Sequence, residues 1–112
     1  MATILVTQDA VTVSLSKMEA IGALHGDVTV PRSAITNVRS LSDGMDEVHG
    51  IRAPGTGVPG VMMIGTLHDH GVSTFAVCHG HRPAVLIELE GQTFDRLLVT
   101  VDNVDQVVDE LD

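Results

Sequence analysis

The chain is predicted to fold as one mainly β domain: a small antiparallel barrel of about seven strands with a C-terminal amphipathic helix. Three observations carry that expectation. Short runs of period two recur between turn residues, as where Val11, Val13 and Leu15 alternate with Thr12 and Ser14. Near the end, Val104, Val107, Val108 and Leu111 fall at i, i+3, i+4 and i+7, the apolar stripe of a helix. Finally, 112 residues of which 44% are hydrophobic and 19% charged suffice for a single core and argue against disorder. No composition break, linker or repeat divides residues 1–112, so one domain is expected.

The elements follow in order. Thr3 to Thr7 and Val11 to Leu15 read as strands around Gln8-Asp9-Ala10. Ser16-Lys17-Met18-Glu19 has the spacing of a capping box, in which the Ser16 side chain and Glu19 each satisfy the other's free backbone N–H. Met18, Ile21 and Leu24 then lie close to one helical face, so a short helix is predicted over 16–25, with Gly22 weakening it. Strands resume at Val28 and Val30, with Pro31 marking an edge or a bend, and continue over Ile35 to Leu41. Glu47 to Gly60, EVHGIRAPGTGVPG, reads as the one long irregular segment. Val61 to Leu67 and Val72 to Cys78 form a predicted hairpin around His68-Asp69-His70-Gly71. Ala84 to Glu90 and Phe94 to Val101 complete the strands, and Asp102 or Asn103 is placed to cap the last helix.

Charge and composition exclude several functions. Six Lys+Arg against 15 Asp+Glu give a net charge of −9, and Phe75 and Phe94 are the only aromatic residues. A nucleic-acid surface wants basic side chains and stacking rings, and an anionic membrane wants basic residues. Neither partner is expected. Cys78, the single cysteine, precludes an internal disulfide and fits a reducing compartment. With no basic, apolar leader and no run long enough to span a bilayer, a cytoplasmic location is expected.

In the stretches LSKMEAIGALHGDVTVPRSAITNV (15–38), GIRAPGTGVPG (50–60) and AVLIELEGQTFDRLLVTVDNVDQVVDEL (84–111), the chain resembles the small bacterial PH-like domain proteins of actinobacterial type. The resemblance implies a PH-like barrel of seven strands whose open end is covered by a C-terminal helix, and a binding or scaffolding role. It supplies no catalytic residues. The basic first hairpin of phosphoinositide-binding PH domains is replaced here by Gln8-Asp9-Ala10, so that ligand class is set aside.

Two constellations could carry chemistry. His68 and His70 form an H-x-H pair, and Cys78, His79 and His81 a C-H-x-H set, both resembling metal ligands. An extended strand over 72–78 holds its ends roughly 20 Å apart, so the two sets fall at opposite ends and each has too few ligands alone. No metal or other cofactor is called for. The predicted hairpin returns Cys78 and His79 beside Val61, which gathers His49, Arg52, Cys78, His79 and His81 at one rim. There an arginine, imidazoles and the backbone of Pro54, Gly55, Thr56 and Gly57 could hold a small anionic ligand. A Cys–His pair could act as nucleophile and base, although neighbours on a strand point to opposite faces. The RAPGTGVPG loop lacks the Lys-Ser/Thr of a P-loop and precedes a strand, which excludes a phosphate-binding P-loop.

The expected function is therefore a non-catalytic interaction module that binds a protein partner or itself, with a homodimer as the simplest case. Arg52 and the 50–60 loop are the leading contact residues, with His79 and His81 behind them. The alternative is a small anionic ligand, or an acid–base site, at the same rim.

Overall fold

A computed structural model describes all 112 residues. Nine strands and two helices follow in the order β1 (Thr3–Val6), β2 (Ala10–Ser14), α1 (Lys17–Ala23), β3 (Val28–Pro31), β4 (Ile35–Leu41), β5 (Ile51–Val58), β6 (Met62–Asp69), β7 (Val72–His79), β8 (Ala84–Leu89), β9 (Arg96–Thr100) and α2 (Val104–Leu111). The mainly β class holds, but the strands form two sheets and do not close into a barrel. One sheet is β1-β2-β3; the other runs β4-β8-β9-β7-β6-β5. The number expected from sequence was lower because β5 hid in the Gly/Pro-rich stretch and because 28–41 contains two strands, β3 and β4, separated by a single 3-10 turn at Arg32–Ala34.

Each sheet obeys the alternation that predicted it. Val11 and Val13 of β2 and Val28 and Val30 of β3 are buried, with their polar neighbours outside. The central strands of the larger sheet are different. β7, β8 and β9 are covered on both faces and read as continuous apolar runs, as strands without a wet face should. β9 lies between β8 and β7, antiparallel to the first and parallel to the second. One face of this sheet presents Ile64, Phe75, Val77, Val85, Ile87, Leu97 and Val99 to a core of 19 buried residues shared with the small sheet and α2. The other face, with Met63, Leu67, Ala76, Cys78, Ala84, Leu86 and Leu98, is covered by half-buried Leu41, Met45 and Val48.

The β6–β7 hairpin forms as predicted. Its turn is His70-Gly71, both with positive φ (50° and 81°), the backbone of a two-residue turn that matches strand twist. Strand β5, expected to be irregular, pairs with β6 instead. Its glycines serve close approach as well as turning: a Cβ on Gly65 would lie 2.4 Å from the Pro54 carbonyl oxygen and 2.5 Å from the Gly55 Cα. Only a bare backbone fits there, and the pairing is irregular between Arg52 and Gly55. Helix α2 buries Val104 and Val107 as its stripe requires. Asn103 is its N-cap, but its side chain bonds Gln106 rather than a free backbone N–H. No helix is long and apolar enough to cross a membrane.

Candidate functional site

Helix α1 begins with the predicted capping box. The Glu19 N–H donates to Ser16 Oγ at 3.2 Å, and the Ser16 N–H donates to Glu19 Oε1 at 2.9 Å. That reciprocal bond turns Glu19 inward, where it is 3% exposed. Its second oxygen, Oε2, accepts from Nε2 of His79 at 2.6 Å. Glu19 and Ala23, one turn apart, thus make the inner face of α1. The consequence for the other face is geometric. Met18, Ile21 and the C-capping Leu24 point outward, 84%, 73% and 74% exposed. The stripe that sequence periodicity marks as one apolar face, which a helix would ordinarily turn inward, is the outer face of this helix.

Electrostatics support the inversion. Burial pushes the Glu19 carboxyl up, but hydrogen bonds from the Ser16 backbone, His79 and the Ser16 hydroxyl, with the N-terminal ammonium, outweigh it and hold the carboxyl below its ordinary value. The half-buried His79 is fixed from two sides, since its backbone N–H also donates to Thr100 Oγ1 at 3.2 Å. Beside this pair, α1, β5 and β6 enclose a groove of about 420 Å³, lined by Met1, Met18, Thr56, Met62, Ile64 and His79 among others. The Thr56 hydroxyl donates to the Gly22 carbonyl at 2.9 Å and ties β5 to α1.

The predicted rim is divided between three places. Arg52 and His81 share a hollow of about 350 Å³ with Gly57, Met45 and Met63. There Arg52 donates to the Gly57 carbonyl at 3.3 Å, and His81 Nδ1 lies 2.6 Å from Asp43 Oδ2. His79 faces the α1 groove instead, because it is one residue beyond Cys78 on the same strand. Cys78 is fully buried on the opposite sheet face, and burial pushes its thiol up to about 12. That removes it as a nucleophile and breaks the Cys–His pair. His49 lines a third, smaller hollow with Asp69 and His70. Of the loop residues, Thr56 reaches α1, while Pro54 and Gly55 spend their backbone approach on β6.

The H-x-H pair does not assemble a metal site. His68 Nε2 is 2.9 Å from the Ala53 carbonyl oxygen, and His70 Nδ1 is 2.6 Å from Asp69 Oδ1. No group of three or more His, Cys, Asp or Glu side chains is placed to hold a metal ion. The largest hollow, about 520 Å³ between β4 and the start of α2, is open and lined by Ser42, Arg82, Asp102 and Asp105. Its size exceeds that of the α1 groove, but it gathers no histidine.

Glu19 is the residue that sequence reasoning placed without recognising its role. The capping box found its backbone partner; its link to His79 spans 60 positions and leaves no local signal. Compared with known proteins, the chain matches no family model, no curated protein and no solved structure.

Proposed function

We propose that this protein is a non-catalytic binding module whose contact face is the outer side of α1, and that a second copy of the chain is its simplest partner. The observation that carries this reading is the exposure of Met18, Ile21 and Leu24 in one stripe. Three such side chains form an apolar patch on the order of 400 Å², the size of the largest patches on soluble monomers. That is about half of what a standard interface takes from each partner, so the dimer is weak and concentration-dependent.

Charge selects the partner. The chain carries −9 overall, yet α1 holds no exposed carboxylate, since Glu19 is buried, and bears Lys17, the only lysine. A basic partner would be drawn to the acidic remainder of the surface and away from this face. Two α1 faces can meet across a twofold axis without opposing carboxylates. The PH-like kinship is part of this proposal and rests on α2 alone, which packs against β1, β4 and β8 beside sheets that do not close into a barrel. A reducing, cytoplasmic setting suits the lone buried thiol of Cys78.

Sedimentation equilibrium over a wide concentration range tests this reading. The wild type is expected to pass from monomer to dimer, and Ile21→Glu to stay monomeric at every concentration. A wild type that remains monomeric, or a dimer that Ile21→Glu leaves intact, would overturn it. A second reading has one observation behind it: Arg52 and His81 do share a hollow, which suits a small anion.

A further inference from the structure

Three of the five methionines, Met1, Met18 and Met62, line the same groove as His79. Methionine in a core fills gaps, but here Met18 is 84% exposed, and Met62, which packs against the edge of the main core, is only half-buried, so both keep part of the side chain at the groove. We propose that the α1 groove binds a soft monovalent cation, Cu(I), through the Met18 and Met62 thioethers and the Nδ1 of His79.

Thioethers are soft ligands that select Cu(I) over the hard and borderline divalent ions. The imidazole is prepared for the task. A metal-ligating histidine almost always gives its other ring N–H to a carboxylate or carbonyl, which fixes the tautomer and the ring plane. His79 does this already: Nε2–H donates to buried Glu19 at 2.6 Å, and Glu19 is held in turn by the Ser16 N–H. Nδ1 is left as the ring's lone-pair nitrogen and has no partner in the protein. Met1 also lines the groove, but its sulfur accepts from Arg82 Nη1 at 3.6 Å, so it is not counted as a ligand.

The molecule contains its own control. Met45, Met63 and His81 line the neighbouring hollow, where Arg52 places a fixed positive charge that opposes any cation. His81 Nδ1 is also taken by Asp43. Soft donors are present in both places, but only the α1 groove offers an oriented imidazole nitrogen with no protein partner, and there the buried Glu19 carboxylate stands against the N-terminal ammonium and the Arg82 guanidinium on Met1.

The site shares Met18 with the α1 stripe but not Ile21 or Leu24, so Ile21→Glu removes the dimer contact while every proposed ligand stays in place. The test uses the full chain with its methionine methyl carbons labelled, Ag(I) as a redox-inert probe of the same charge and softness, and a chloride-free buffer. One equivalent of Ag(I) is expected to shift the Met18 and Met62 methyl signals and leave Met45 and Met63 in place. Zn(II) is expected to move none of them. His79→Gln and Met62→Leu should each weaken Ag(I) binding at least tenfold, whereas Ile21→Glu should leave it unchanged. Absence of the shifts, equal shifts of all five methyls, or binding that survives both substitutions would overturn the proposal. Retained folding of each variant is read from its remaining methyl signals. The wild-type spectrum decides the matter even if a variant does not fold.

Discussion

Helix α2 lays Val104 and Val107 into the shared core and leaves Asp105 and Asp109 in solvent, whereas α1 buries Glu19 and Ala23 and leaves Met18, Ile21 and Leu24 outside. The two helices differ in what their first turns face. In α2 the side chains turned into the core are valines, and no buried carboxylate competes with them, so they decide the orientation. The opening of α1 meets His79, and one carboxylate with a cap on one oxygen and an imidazole on the other outweighs three apolar side chains. A buried, fully bonded carboxylate can set the rotation of a short helix because leaving it unpaired would cost more than exposing a methionine.

Matched substitutions sharpen that contrast. The largest effect is expected from Val107→Glu, which places an unpaired charge at a site 1% exposed. Urea unfolding should show a loss on the order of 4 kcal/mol, a large share of the stability of a domain this size. An unchanged midpoint would mean that α2 is not a core helix.

Next comes Glu19→Ala, which removes the cap's partner and leaves the His79 ring Nε2–H without an acceptor. A loss of about 1–3 kcal/mol is expected near neutral pH. The sign of its pH dependence follows from the direction of the shift. The native carboxyl sits below its ordinary value of 4.5, so its contribution is complete above that value and is lost as pH falls through the lower native one. The gap between wild type and Glu19→Ala, followed by thermal unfolding, should therefore be flat above about pH 5 and narrow on further acidification. A gap that widens in acid would mean that the native environment disfavours the ionised carboxylate.

The sequence carried the local features well. Period-two strands, the capping box and the β6–β7 hairpin all follow from rules that act within a few residues. What escaped acts at a distance. Gly55 and Gly65 look like turn residues in one dimension, because a glycine needed for close backbone approach gives the same letter as one needed for a turn. The α1 stripe was visible, but periodicity marks a face without saying whether core or solvent lies beyond it. Of the predicted rim, Arg52 and His81 line one hollow, while strand alternation carries His79 to the other side.

The smallest expected effect is also the most direct test of the claim that α1 turns its apolar side outward. Ile21→Glu should be measured by urea unfolding at high dilution, where association contributes nothing. The midpoint is expected to lie within about 0.5 kcal/mol of wild type, as for an exposed helix position. A loss comparable to that of Val107→Glu would place Ile21 in the core and contradict the outward stripe, and with it the contact face built on that stripe.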